Sequence, residues 1–356
     1  MKVVIATPLY PPEIGGPATY AQILVDALGH DVVLVKFSDV RRLWKIIRHF
    51  TYFLKVFKAA KDADIVFALD PVSVGLPAMW AAYLAKKKFV VKIVGDYAWE
   101  QGNQRFGVKQ NLDDFVQTEQ SSWIVRRLQN IQTRVARHAT RVIVPGQYLK
   151  EIVTAWGVSD KKIQVIHNSV TLPPLGILPE SVTHLSPPLV VSVGRLVPWK
   201  EFDGVIDAVL NTNASLVVIG EGPLYSRVTA NARQKLGERA LFTGVLSRPD
   251  TLAVMKKSDV FVLNSSYEGF SHVLVEAIFL GKAIIATNIP GNKEIIDGTN
   301  GILVNVGDTE ELTNALNKIF SDPVLKSNLE RRAAQSATNF SKEAMVLKTK
   351  ELLFIT

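Results

Sequence analysis

Glu268 and Glu276 stand eight residues apart in the run NSSYEGFSHVLVEAIFLGKAIIATNIPGNKEIIDGTNG, residues 264–301. An apolar run ends at Leu263, a polar loop containing Gly269 follows, and apolar residues at helical spacing begin near His272. That order puts backbone N–H groups and the positive end of a helix dipole at the carboxyl end of a strand, a ready anion site. One carboxylate can then face a reacting group while the other accepts hydrogen bonds from hydroxyls a ligand length away. As ordinary structure, Glu268 would cap the helix and Glu276 would sit on a solvated face. A second cluster is VVSVGRLVPWKEF, residues 190–202, where Arg195 and Lys200 leave a strand end five positions apart. Arg offers a fork and Lys a point charge, a pair suited to a diphosphate, although exposed surface charges would look the same. A third is PPEIGGP, residues 11–17, in which Gly15 and Gly16 let the backbone approach a ligand closely. Neither it nor GEGP at 220–223 has the GxGxxG spacing, which disfavours NAD and FAD chemistry.

The elements that must position these residues alternate between short β-branched runs and helical patterns, as in parallel sheets with crossover helices. Strands are predicted at 3–6, 32–35, 65–69, 89–94, 142–145 and 164–166, then at 189–193, 216–219, 241–243, 260–263, 283–286 and 302–304. Helices are predicted near 17–28, 42–61, 77–86, 122–138 and 147–156, then near 202–210, 223–236, 249–257, 272–280 and 309–321. Between Asn168 and Pro188, five prolines interrupt any regular element. The reading is an α/β chain of two doubly wound, Rossmann-like domains facing each other across a cleft. Residues 1–170 form the first domain, 171–188 the linker and 189–340 the second, and a helical 341–356 could cross back to the first. Ligands bind such sheets at the carboxyl ends of the strands.

Composition narrows the classes. With 47% hydrophobic and 21% charged residues, the chain of 356 residues can bury two cores, and zero cysteines exclude disulfides, thiolate metal sites and a cysteine nucleophile. The net charge of +8 is uneven: residues 1–170 carry 23 basic and 14 acidic side chains, the remainder 18 and 19. A basic coat for nucleic acid is therefore not expected, and one basic domain surface is. The apolar run before Pro8 is too short for a signal peptide, and Gly75 and Pro77 interrupt the longest apolar stretch, Val72 to Ala85. A cytoplasmic protein is expected.

Taken together, GGP at 15–17, VIHNSV at 165–170, VGRLVPWKEFD at 193–203, GEGP at 220–223, EGFSHVLVEA at 268–277 and GNKEIIDGTNGILV at 291–304 give a pattern that covers nearly the whole chain. In it the sequence resembles the family 4 glycosyltransferases, retaining enzymes of the GT-B fold that move a sugar from a nucleotide diphosphate donor. The resemblance implies that Arg195 and Lys200 bind the donor diphosphate and stabilise it as the leaving group. It implies that Glu268 contacts the transferred sugar, with the backbone of Gly269, Phe270 and Ser271 holding its hydroxyls or the phosphate. Glu276 would accept the ribose hydroxyls, Gly15 and Gly16 would close over the phosphate, and backbone around Val245, Leu246 and Arg248 would meet the base. No cofactor or metal is implied, and Asp62-Ala63-Asp64, the one D-x-D, reads as an acidic turn at a helix end. The sequence departs from the family where many members carry a His-Asp pair after the fourth strand. Here it reads Gly95-Asp96. Asp96 would touch the acceptor hydroxyl or the sugar, or else cap locally.

Residues 41–61, RRLWKIIRHFTYFLKVFKAAK, place Leu43, Ile46, Ile47, Phe50, Phe53, Leu54 and Phe57 on one helical face, which is expected to pack on the first sheet. Arg41, Arg42, Lys45, Arg48 and Lys55 would then form an outer face able to meet anionic lipid, with the protein peripheral on the inner face of the cell membrane. A glycan or lipid-linked acceptor follows from that reading. The alternatives are a GT-B enzyme with a soluble acceptor, like sucrose- or glycogen-making relatives, and a nucleotide-sugar epimerase.

Overall fold

The computed structural model describes residues 1–356 apart from 14, 119–121 and 356, and the side chains of Lys45 and Ile355 also lie outside the described set. The chain divides into two compact units, Met1–Ser169 with Ser341–Thr356, and Val170–Phe340.

In the first unit the strands are β1 (Val3–Thr7), β2 (Val32–Lys36), β3 (Ile65–Ala68), β4 (Lys88–Lys92), β5 (Arg141–Val144) and β6 (Ile163–Val165). They form one parallel sheet in the order β2-β1-β3-β4-β5-β6. The crossovers are α1 (Gly16–Leu28), α2 (Lys45–Lys61), α3 (Gly75–Leu84), α4 (Tyr97–Arg105), α5 (Leu112–Gln117), α6 (Trp123–His138) and α7 (Gln147–Ala155). Every residue of β1 and β3 is buried, because helices cover both faces of the sheet, and this is why those strands read as unbroken apolar runs. In the second unit, β7 (Leu189–Val193), β8 (Ser215–Ile219), β9 (Ala240–Gly244), β10 (Val260–Leu263), β11 (Ala283–Thr287) and β12 (Ile302–Val304) pair in parallel in the order β12-β11-β10-β7-β8-β9. Its helices are α8 (Glu180–Thr183), α9 (Phe202–Leu210), α10 (Tyr225–Leu236), α11 (Arg248–Lys257), α12 (His272–Phe279), α13 (Pro290–Lys293), α14 (Thr309–Ser321) and α15 (Pro323–Ser336). Each strand falls within two residues of its predicted position.

The last helix, α16 (Lys342–Ile355), packs in the first unit. Met345 and Leu353 are buried among Tyr20, Leu24 and the residues of β1, and Lys350 Nζ donates to the carbonyl of Ala27 at 2.9 Å. Beside it Tyr20 and Thr349 share a hydrogen bond of 3.3 Å.

Helix α2 departs from the sequence expectation. The side chains it buries are Tyr52, Val56 and Ala60, with the Tyr52 hydroxyl donating to the carbonyl of Val35 at 2.9 Å. The stripe expected to pack on the sheet is outside instead: Ile46 is 86% exposed, Phe50 61%, and Leu43, Ile47 and Leu54 are exposed as well, next to Trp44 at 83%. The apolar arc of residues 41–61 is wider than one packing face, so its hydrophobicity alone could not say which side goes in. The cations are also redistributed. Arg41 pairs with Glu13 at 2.6 Å, Lys55 with Asp39 at 3.4 Å, and the Arg48 guanidinium lies over the Phe37 ring at 5.6 Å. Arg42 is exposed, and the Lys45 side chain lies outside the described residues.

Lys92, at the end of β4, is 2% exposed, and its Nζ has no hydrogen-bond partner. The ammonium lies over the Tyr20 ring, 3.8 Å from its centre. Burial pushes its pKa down to about 7. The unfolded chain therefore binds more protons than the native one between pH 7 and 10, so stability rises with pH across that window and is lost progressively as the pH falls from 10 to 7, with no further loss from this group below. Lys92→Met is expected to stabilise the fold and to remove up to about 1.4 kcal/mol of stability change per pH unit between pH 7.5 and 9.5. Urea titrations of both chains across that window check this, and parallel pH curves would contradict it.

Candidate active site

The order of the second sheet makes β7 and β10 neighbours from which the chain runs outward in opposite directions. At such a switch point the loops at the carboxyl ends diverge and leave a crevice. The loops that follow β7 and β10 are Gly194–Glu201 and Asn264–Ser271, and these hold the arginine, lysine and first glutamate singled out above.

The first loop rests on a backing plate. Gly194 N donates to Ile219 O at 3.0 Å, Leu196 N to Glu221 O at 2.9 Å, and Leu224 N to Leu196 O at 3.1 Å. GEGP supplies the plate because its glycines allow contact of backbone on backbone. Gly220 has φ +136°, and a Cβ there would stand 2.1 Å from the Gly194 carbonyl oxygen. Leu196 and Val197 are buried and fix the loop, while Arg195 between them and Gly194 is exposed, and its side chain makes no ion pair or hydrogen bond among the described residues. Glu201, at φ +48°, turns the chain into α9, and its carbonyl accepts from Asn264 Nδ2 at 3.0 Å. Ser266 N donates to Trp199 O at 2.8 Å, so the two loops are stitched together.

Lys200 Nζ and Glu268 Oε1 form an ion pair of 2.5 Å, with the two side chains 14% and 12% exposed. Ser265 Oγ donates to the same oxygen at 2.7 Å. Glu276, on the buried side of α12, is held the same way: Arg248 Nε and one terminal nitrogen both reach its Oε1 at 2.9 Å. Burial pushes the Glu276 carboxyl above the usual carboxylate range, and the Arg248 charge and hydrogen bond oppose this. In each glutamate the protein contacts converge on one oxygen, and Oε2 takes no hydrogen bond among the described residues. Ser271 caps α12, accepting from Leu274 N at 3.4 Å, and Phe270 is buried against Phe340. The first N–H groups of α12 thus open beside Gly269 with no partner in the helix. Val245 is exposed after β9, and Leu246 is half-buried against the core.

Three of the residues that build this site were not singled out by their chemistry. Ser265 and the Arg248 side chain carry no spacing that marks them. Gly291 could have been found from its type: a Cβ there would lie 2.0 Å from the Glu268 carbonyl oxygen, so only glycine lets the segment 288–296 brace the loop.

The first unit holds Gly15, Gly16 and Asp96. Gly15, at φ +148°, precedes α1, and its carbonyl accepts from Ala18 N and Thr19 N. Asp96 is 1% exposed and caps α4, with Oδ1 accepting from Trp99 N at 2.8 Å. Burial lifts its pKa to about 6, while hydrogen bonds from Trp99 and the Gln132 and Trp156 side chains hold it down. The local-capping alternative describes Oδ1. Asp64 of the D-x-D accepts from Lys2 N at 2.8 Å, and Asp62 ends α2.

A family model described as glycosyl transferase 4-like domain matches residues 2–169, and one described as glycosyl transferases group 1 matches residues 178–339. The chain belongs to the family 4 glycosyltransferases. A relative of this chain, the N-acetylgalactosamine-N,N'-diacetylbacillosaminyl-diphospho-undecaprenol 4-alpha-N-acetylgalactosaminyltransferase of Campylobacter jejuni, is 29% identical over 54% of this chain and 54% of its own. The UDP-Gal:alpha-D-GlcNAc-diphosphoundecaprenol alpha-1,3-galactosyltransferase of Escherichia coli is 30% identical over 61% and 60%. The chain spans about half the length of the first curated relatives it matches. The solved structure of Alr3699/HepE from Anabaena with UDP-glucose matches at a TM-score of 0.81 and 18% identity, covering 100% of both chains. The fold is GT-B.

The bracing role of Gly291 is open to a direct check. Gly291→Ala is expected to displace the Glu268 loop and to lower the unfolding free energy by about 2 kcal/mol, as overpacking against fixed backbone does. Wild-type stability in a denaturant titration would show that the loop yields freely.

Proposed function

We propose that the protein is a retaining, metal-independent glycosyltransferase that moves a hexosyl unit from a nucleoside diphosphate donor to a hydroxyl of a glycan or lipid-linked acceptor at a membrane surface. The observation that carries this reading is the convergence of Arg195, Lys200, Glu268 and the start of α12 on one sheet switch point. Breaking the bond between C1 of the sugar and the phosphate oxygen leaves negative charge on the diphosphate. Lys200 and the α12 N–H groups are held in place where that charge develops, and the free guanidinium of Arg195 stands beside them, which lowers the barrier to departure. The acceptor oxygen bonds to C1 on the face the phosphate leaves, and the acceptor proton passes to the departing phosphate oxygen. Glu268 Oε2 accepts from the sugar hydroxyls, and Glu276 Oε2 from the ribose. Two cations and a helix terminus supply the positive charge that a metal would otherwise bring.

Support for a lipid-linked acceptor comes from the diphosphoundecaprenol named in both relatives above. Support for a membrane surface comes from α2 and the turn that leads into it, where Ile46 and Phe50 of the helix are exposed with Trp44 and Arg42 of the turn. Such a helix lies in the interfacial region, its apolar side among the acyl chains and its cations near the headgroups. No helix among the described residues is long and apolar enough to cross a membrane.

Transfer kinetics, nucleotide affinity and vesicle flotation check these readings. Arg195→Ala is expected to slow transfer about 100-fold, or roughly 3 kcal/mol, with chelators leaving the wild-type rate unchanged. Glu276→Ala should weaken nucleotide affinity, and Glu268→Ala should lower turnover more than affinity; wild-type kinetics for both glutamate variants would overturn the site. In flotation with anionic vesicles the full chain is expected to rise with the lipid, and the triple change Trp44→Ser, Ile46→Ser, Phe50→Ser to stay behind. Equal flotation of the two chains would contradict the α2 assignment.

A further inference from the structure

A groove of about 770 Å³ runs between α2, α3 and α6 of the first unit. Ile46, Phe50 and Phe53 form one wall, Leu76 and Trp80 another, and Ile131 lies along the third. Ser73 and Tyr97, which follow β3 and β4, place its mouth at the carboxyl edge of the sheet, next to the switch point between β1 and β3. The charged side chains that line it are Arg48 and Arg127, joined by His49, and no carboxylate is among them. Arg48 Nε is buried with no hydrogen-bond partner, and Arg127 is exposed, with no ion pair among the described residues. A buried guanidinium nitrogen without a partner is costly unless a ligand completes it.

The volume suits a small molecule rather than a folded partner. A groove with so few hydrogen-bonding groups among its apolar lining also does not suit an extended peptide, which would need partners for its backbone along its whole length. It suits a ligand that is mostly apolar and carries an anionic group. The two guanidiniums of the lining match phosphate oxygens, to which each can donate two parallel hydrogen bonds. We propose that this groove binds a lipid diphosphate, its hydrocarbon chain lying between α2, α3 and α6 and its diphosphate on Arg48 and Arg127. Ile46 and Phe50 border the groove and also belong to the exposed face of α2, so a chain can pass from the bilayer into the groove along a continuous apolar path. That the bound lipid is the acceptor rests on the transfer reading above; that it binds does not.

The test is calorimetric titration of the full-length chain with farnesyl diphosphate, farnesol, inorganic diphosphate, palmitate and a nucleoside diphosphate, without detergent. Farnesyl diphosphate is expected to bind at least about tenfold more tightly than farnesol, inorganic diphosphate or palmitate. Phe50→Asp, at a position already exposed, is expected to weaken farnesyl diphosphate about tenfold or more and leave the nucleoside diphosphate unchanged. Arg127→Ala is expected to weaken farnesyl diphosphate and leave farnesol unchanged. Equal binding of farnesyl and inorganic diphosphate, or no effect of Phe50→Asp, would overturn the groove assignment. Palmitate binding as tightly as farnesyl diphosphate would overturn the diphosphate tip. If farnesyl diphosphate binds as expected but the nucleoside diphosphate does not bind at all, the groove stands and the transfer reading falls.

Discussion

The ion pair of Lys200 with Glu268 joins the side chains of the two loops that leave the sheet at its switch point. Each loop leaves a different strand of the switch point, and both side chains are nearly buried, so neither charge tolerates the loss of the other. Removing one partner of such a pair typically costs about 3–5 kcal/mol. The rest of the second unit is arranged around this constraint. GEGP supports the lysine loop from behind, Gly291 supports the glutamate loop, and Asn264 and Ser266 tie the two together near Glu201 and Trp199. A site built this way needs little reorganisation on binding, which is the condition for electrostatic stabilisation of a transition state.

Charge is divided between the units by task. In the second unit most cations near the site are already committed: Lys200 to Glu268 and Arg248 to Glu276. Among the described residues Arg195 is the uncommitted one, and in the proposed transfer it would meet the leaving diphosphate. In the first unit the basic surplus does not form a single coat. Arg41 and Lys55 are tied to Glu13 and Asp39, Lys92 is buried over Tyr20, and Arg48 and Arg127 face an apolar groove. The exposed face of α2 is therefore mainly apolar, with cations around it.

The sheets were legible in the sequence because strands buried on both faces leave unbroken β-branched runs, and every such run became a strand. The site was legible where glycine and charge fall at strand ends, as at Gly194, Arg195, Lys200 and Glu268. Legibility failed where tertiary packing decides. Helices α4, α5 and α15 have no long apolar stripe and were not read as helices. Helix α2 has too many apolar residues for a pattern to choose its buried face, and Tyr52, Val56 and Ala60 were chosen by fit against the sheet and α3. Arg248 was read for its backbone, since nothing in the spacing 248 to 276 shows that two helices bring its guanidinium onto a buried carboxylate.

The central claim is that Lys200 and Glu268 form a ligand site and not merely a structural clasp. Exchanging the two charges in one chain, Lys200→Glu with Glu268→Lys, separates these roles, because a clasp works in either direction and a site does not. Each single change is expected to lower the melting temperature, and the exchanged pair to recover most of the loss, while transfer from a nucleotide sugar stays at least about 100-fold below wild type. Recovery of transfer together with stability in the exchanged chain would contradict the account.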